Sequence, residues 1–205
     1  MRGSLIAAPA RPQARIASLA QVALACTFFA LMTGVFARIA IPLPFRWVPF
    51  TLQPLAVCLT GLMLGSRAGA AAMLEYFVLG ALGAPVFQGG TAGLASATFV
   101  TGSLGYLISY PFAAWTIGKL SEGSDRSVLR LTVAGIAGLM VIYAFGVAYL
   151  AGWLDVVKHV TGLRLIPLAF VQGTLPFIVF DVPKAAVAAA VASKTAGSWF
   201  AWARR

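Results

Sequence analysis

Charge is scarce in this chain of 205 residues, and acidic charge is scarcest: five Asp and Glu stand against fifteen Lys and Arg, and charged residues make up 10% of the total. A soluble domain carries about 25%. With 60% apolar residues and a mean hydropathy of +0.92, too little polar surface remains to cover a water-soluble fold. A soluble enzyme and a disordered tail are both excluded. Cysteine is nearly absent; Cys26 and Cys58 fall in the middle of apolar stretches, where buried thiols are expected rather than disulfides. There is one histidine, His159, beside Asp155 and Lys158 with no Cys or carboxylate cluster, so no metal site is expected. No G-x-x-x-x-G-K-[ST] phosphate loop occurs; Gly118-Lys119 lacks both the upstream Gly and the following Ser or Thr. Ser103 in G-S-L-G has no histidine within a span to activate it. No D-D-x-x-D-type cluster and no repeat with a period of 20–50 residues is found. An enzyme is therefore not expected, and no cofactor is called for.

What is present is a series of long apolar runs. A bilayer core of about 30 Å needs about 20 apolar residues in a helix. Residues 16–37 and 131–154 carry no charge, 48–66 lies between Arg46 and Arg67, and 165–193 carries only Asp181 and Lys184. Residues 68–118, with Glu75 as their one acid, are too long for one span, and the Gly-rich, small polar segment in their middle reads as a connection between two helices. These runs predict an all-α, polytopic membrane protein with six transmembrane helices: a tail at 1–15, a six-helix transmembrane domain at 16–196, and a basic tail at 197–205. The apolar run near the N-terminus is too long for the h-region of a signal peptide and reads as a span.

An even number of spans puts both termini on one side. Ten cations then share that side: Arg2, Arg11, Arg15, Arg67, Lys119, Arg126, Arg130, Lys194, Arg204 and Arg205. Four lie opposite, namely Arg38, Arg46, Lys158 and Arg164, and Lys184 is within a span. The positive-inside bias predicts a cell-membrane protein with both termini in the cytoplasm. The net charge of +10 records orientation rather than nucleic-acid binding.

Of the acids, Glu122, Asp125 and Asp155 fall in expected loops, leaving Glu75, Asp181 and Lys184 in the membrane. Ionisable groups there are costly and mark functional sites. Asp181 and Lys184, three apart in F-D-V-P-K-A, share a helix face. They read either as a neutralising pair, with Asp181 capping a helix that restarts at Pro183, or as a ligand site at a proline-broken span. Glu75 is expected to face the same cavity, to carry a proton, or to snorkel toward the rim near Arg67. The 84–105 connection, with Gln88, Thr91, Ser96, Thr98, Thr101 and Ser103, and the four-proline segment I-P-L-P-F-R-W-V-P-F-T-L-Q-P are expected at the outer rim as lids. Small residues recur every four positions at Cys26, Ala30 and Gly34, at Ala185, Ala189 and Ser193, and at Ala188, Ala192 and Ala196. Such stripes serve close helix packing, within the protein or against another membrane subunit. The residues alone thus leave open a transporter or channel for a small polar solute and a stand-alone proton-coupled carrier with Glu75 or Asp181 titrating.

V-P-F-T-L-Q-P-L-A-V-C-L-T-G-L-M-L-G-S-R-A-G, then E-Y-F-V-L-G-A-L-G-A-P-V-F-Q-G-G-T-A-G-L and T-G-S-L-G-Y-L-I-S-Y-P-F-A-A, resemble the BioY family of biotin-specific substrate-binding (S) components of energy-coupling-factor (ECF) transporters. The resemblance runs in order from Arg38 to Lys194. Val100 stands where the family shows proline before its Thr-Gly-Gly-Tyr block, and Phe180 replaces the Gly of its G-D-x-x-K. The resemblance implies a six-helix ECF S component binding biotin near the outer face with high affinity. It implies as partners a transmembrane coupling subunit and two ATPase subunits. It also implies ligand contacts from Asp181 and Lys184, with Gln88 and Tyr106 added from matching motif blocks; Glu75 completes the set of substrate-binding candidates.

Overall fold

The computed structural model describes residues 12–42, 48–100, 102–123 and 126–195. The expectations for the 1–11 and 197–205 tails, Arg46, Thr101 and Asp125 lie outside the described residues. Seven helices occur among those described: α1 (Pro12–Arg38), α2 (Gln53–Ala81), α3 (Gly93–Ala95), α4 (Leu104–Ser121), α5 (Val128–Lys158), α6 (Leu165–Gly173) and α7 (Leu175–Thr195). Four stretches, Leu19–Arg38, Gln53–Ala81, Val128–Lys158 and Leu175–Thr195, are long and apolar enough to cross a membrane. The only sheet among the described residues is a two-residue antiparallel pair, β1 (Ala40–Ile41) with β2 (Phe50–Thr51).

The helix count differs from the six expected spans because α3 is a three-residue turn within the 84–103 connection, and for two further local reasons. The first is Gly65, whose φ of 78° and ψ of −172° interrupt α2. A continuous helix would separate Gln53 from Tyr76 by about 35 Å, yet the Gln53 amide donates to the Tyr76 hydroxyl at 2.6 Å. A Cβ on Gly69 would lie 3.3 Å from the Cα of Gly61. The chain therefore reverses at Gly65, and α2 consists of two antiparallel arms, 53–64 and 66–81. The positive φ suits glycine, which has no Cβ to clash. The end of α4 sits on this reversal, because a Cβ on Gly118 would run into the backbone of Gly65 and Ser66.

The second reason is a break in the last apolar stretch at Thr174 (φ −132°, ψ −56°), between α6 and α7. The break expected at Pro183 does not occur. Pro183 and Asp181 both lie inside the continuous α7, so Asp181 does not cap a helix. A proline costs the helix one N–H bond, and α7 absorbs that loss without ending.

Where the structure describes them, the small-residue stripes face inward; Ala196 lies outside the described residues. Cys26, Ala30 and Gly34 are buried; the Cys26 thiol donates to the Ala68 carbonyl at 3.4 Å, and a Cβ on Gly34 would touch Val86 at 3.1 Å. Ala185, Ala188, Ala189 and Ala192 are fully buried, with Ala185 against Gly135 of α5. The stripes hold this bundle together and are not free for another subunit. Outward-facing residues are large and apolar, including Leu24, Phe28, Met140 and Val179, as lipid contact requires.

Polar side chains gather at the two ends of the bundle. At the end holding the Gly65 reversal, the Ser66 hydroxyl donates to Glu122 at 2.6 Å and Lys119 donates to the other Glu122 oxygen at 3.1 Å. Arg126 donates to the carbonyls of Leu62 and Ala192, and Arg130 to that of Glu122. The opposite end holds the strand pair, the 84–103 connection and a cavity.

Candidate functional site

The cavity draws its walls from every long helix except α1. Tyr106 and Tyr110 project into it from α4, one turn apart; Phe177 and Asp181 do the same from α7. Ile142 and Tyr143 come from α5, Thr51 from β2 and Gln53 from the start of α2. Gln88 and Ser103, at the two ends of the 84–103 connection, close one side, with the Gln88 amide donating to the Ser103 hydroxyl at 3.0 Å. One carboxylate stands among aromatic and apolar walls, with amide and hydroxyl groups on the side of the connection. Such a site orients a small, mostly apolar ligand by a few polar groups.

Asp181 is 3% exposed and both its oxygens are engaged. Oδ1 accepts from Lys184 Nζ at 2.7 Å, and Oδ2 accepts from the Tyr143 hydroxyl at 2.7 Å. Lys184 Nζ also donates to the Thr51 carbonyl at 2.7 Å and lies 3.8 Å from the centre of the Phe50 ring. The ion pair is therefore buried, paired and hydrogen-bonded, the conditions under which charge is tolerated away from water. Asp181 lines the cavity, whereas Lys184 stands behind it and ties strand β2 to α7.

Tyr106 is placed by absence of bulk in its neighbours. A Cβ at either Gly146 or Gly173 would collide with its ring or hydroxyl. In that notch its hydroxyl donates to the Gly173 carbonyl at 2.9 Å, satisfying a backbone acceptor at the end of α6. Gln53 bridges two neighbours: it accepts from the Thr51 hydroxyl at 2.9 Å and donates to Tyr76, which donates to the Val86 carbonyl at 3.0 Å. This chain of bonds fixes the rim where α2 begins against the connection that follows it.

A family model described as the BioY family matches residues 10–199. The chain belongs to the BioY family. Among curated BioY relatives, the probable biotin transporter of Pyrococcus horikoshii is 39% identical over 178 residues, covering 87% of this chain and 97% of that one. The biotin transporter of Rhizobium etli is 38% identical over 180 residues, covering 84% and 90%. The fold is also that of a solved structure, the S-component for biotin from an ECF-type ABC transporter at 2.1 Å, with a TM-score of 0.72, 22% identity, and 93% and 96% of the two chains covered. This BioY family member is a multi-pass membrane protein, mostly helical.

Of the residues singled out from the sequence, Asp181, Gln88 and Tyr106 line one cavity, and Lys184 bonds to Asp181. Glu75 is not brought to it. It accepts a hydrogen bond from Thr27 of α1 at 2.7 Å on the outward side of the bundle. Tyr143, Tyr110 and Thr51 were not singled out. Tyr106 and Tyr110, four apart on one helix, are a readable signal. Tyr143 carries none, since one uncharged tyrosine in an apolar helix does not announce its partner.

Proposed function

We propose that this chain is the biotin-binding S component of an ECF transporter, taking up biotin across the cytoplasmic membrane with a transmembrane coupling subunit and ATPase subunits. The observation that carries this reading is the cavity-lining carboxylate of Asp181, held by Tyr143 and Lys184 in a chain that matches the BioY family along most of its length. Biotin presents a ureido ring with two N–H donors and one C=O, an apolar fused ring, and a chain ending in a carboxylate. Asp181 accepts from a ureido N–H, while Lys184 holds and neutralises it from behind. The rings of Tyr106, Tyr110 and Phe177 offer faces for the bicycle. Gln88 and Ser103 offer hydrogen bonds without charge, which suits a neutral ring better than an ionic ligand.

The membrane arrangement belongs to the same reading. Six crossings result when the two arms of α2 count separately and α6 with α7 counts as one; α1, α4 and α5 supply the rest. The end carrying Arg67, Lys119, Arg126, Arg130 and Lys194 is cytoplasmic, and the cavity opens toward the outside. Both termini are then cytoplasmic.

Titration of the detergent-purified protein with biotin, after mass spectrometry of whatever small molecules it releases, tests the assignment. Biotin retained through purification, and thermal stabilisation on adding it, is expected. Neither retention nor stabilisation refutes it. Uptake that collapses with an uncoupler but survives ATP depletion would instead favour a proton-coupled carrier.

A further inference from the structure

Tyr143 belongs to two walls. It lines the cavity that holds Asp181, and it also lines a separate groove of ≈ 540 Å³ between α5 and the α6–α7 pair. On α5 the groove runs from Met140 to Ala151, and the small side chains of Ala144 and Ala148 leave it room. Among the described residues, no charged side chain lines it. Two helices fix its depth independently. From Arg130 to Ala151, α5 rises about 30 Å, and from Lys194 back to its start beside Thr174, α7 rises about 30 Å as well. That is the thickness of a bilayer core, about 30 Å. Met140 lies about 15 Å from Arg130, so the groove spans the hydrocarbon of one leaflet. Thr174 lines the groove at the outer boundary. It is 2% exposed, and its hydroxyl has no hydrogen-bond partner. It precedes α7 without capping it, since the N–H groups of Phe177 and Ile178 bond to the Thr174 carbonyl. A buried hydroxyl left in this state is destabilising and calls for an acceptor from outside the chain.

We propose that this groove binds one ester-linked lipid of the outer leaflet, with an acyl chain along α5 from Ala151 toward Met140 and an ester carbonyl accepting from the Thr174 hydroxyl. Rotation about χ1 exchanges the methyl and hydroxyl of a threonine, so the donor reaches the groove without backbone movement. Depth and chemistry choose the occupant. The ester carbonyls of a bilayer lie at the boundary where Thr174 stands. A transmembrane helix of a partner or of a second copy has its carbonyls bonded within itself and has none to spare for Thr174. With no charge in its walls, the groove selects for the chain and the ester rather than the headgroup. Tyr143 gives the lipid a consequence. Its ring divides groove from cavity and its hydroxyl donates to Asp181, so a chain packed on the ring holds it in place for the ligand. Lipid and biotin then favour each other by the same factor. That coupling rests on the reading of the cavity as a biotin site, and the outer leaflet on the membrane arrangement above; the lipid site does not depend on the ligand's identity.

The test uses the full chain, purified in detergent and given dioleoyl phosphatidylcholine or its dialkyl ether analogue, which keeps chains and headgroup but lacks the ester carbonyls. Native mass spectrometry is expected to show one ester lipid retained per chain, and about threefold less of the ether analogue, as for loss of one neutral hydrogen bond. Thr174→Val keeps the side-chain shape and is expected to abolish the preference for ester over ether. Ala148→Phe, on the exposed side of α5, fills the groove and is expected to lower retention by about tenfold, while its thermal midpoint without lipid stays at the wild-type value. Added ester lipid is expected to tighten biotin binding in the wild type and to leave it unchanged in Ala148→Phe. Equal retention of ester and ether lipids by the wild type overturns the proposal, as does undiminished retention in both variants. So does an Ala148→Cys disulfide to a second copy or to the coupling subunit in membranes, which would give the groove a protein occupant; native Cys26 and Cys58 are buried and stay silent. Lipid retained as expected but without effect on biotin affinity overturns the coupling through Tyr143. A chain that retains the lipid and binds no biotin fails the reading of the cavity and leaves the lipid site standing.

Discussion

Asp181 has three neighbours that each do a different thing to it. Lys184 cancels its charge, Tyr143 takes its second oxygen, and the cavity leaves its remaining lone pairs to a ligand. Removing either charge leaves the other buried and unpaired, which costs about 3–5 kcal/mol in comparable pairs. Asp181→Asn and Lys184→Met are therefore expected to weaken biotin binding by at least ~1–3 kcal/mol, measured by calorimetry on the purified protein; unchanged affinity in both would make the pair purely structural. Tyr143→Phe keeps the ring and loses one hydrogen bond to a charged group, for a loss of about 1.5–3 kcal/mol. Gly173→Ala pushes against the Tyr106 hydroxyl, so binding and thermal stability are expected to fall together.

Among the elements, the two arms of α2 are the instructive case. Charge marks their boundary in the sequence, since Arg67 follows the apolar run ending at residue 66. The spans on either side were legible for that reason, as were 16–37 and 131–154 from uninterrupted hydrophobicity. The break at Thr174 was not. The signals in L-A-F-V-Q-G-T-L-P-F, Gly173 at the end of α6 and Pro176 in the first turn of α7, are an ordinary stop and start, but Pro183 competes with them. In the site, charge again carried the information. Asp181 and Lys184 were readable because ions in a membrane are conspicuous; Tyr143 becomes visible only when α5 packs against α7. Glu75 was equally conspicuous, but its charge could not say which side of its helix faced the cavity. At this scale Ala30→Leu is expected to overpack the α1–α2 contact, costing about 1–3 kcal/mol, read as a lower thermal midpoint of the isolated protein. Gly65→Ala, at φ 78°, is expected to lower that midpoint as well, by about 1–2 kcal/mol.

Across the whole molecule, polarity separates the ends of the bundle. The Ser66 hydroxyl, then Lys119, hold the Glu122 carboxyl below its ordinary range. A depressed folded value means that this contribution to stability is complete above the unfolded carboxylate range and is lost as pH falls through the folded value. Thermal midpoints are thus expected to decline on acidification, with a shallower decline in Glu122→Gln. Orientation has its own check. Leu163, fully exposed between α5 and α6, when changed by Leu163→Cys should react with a membrane-impermeant maleimide on intact cells, and Arg67→Cys should react only after permeabilisation.

The bond from Lys184 to the Thr51 carbonyl joins residues 133 positions apart. During synthesis, strand β2 and the first arm of α2 emerge long before the residue that fastens them. Until then the cavity lacks its carboxylate and the cation behind it, which arrive together in α7. Assembly of the earlier helices and acquisition of the ability to bind are separate events in the life of the chain, and the second waits for α7 to be made.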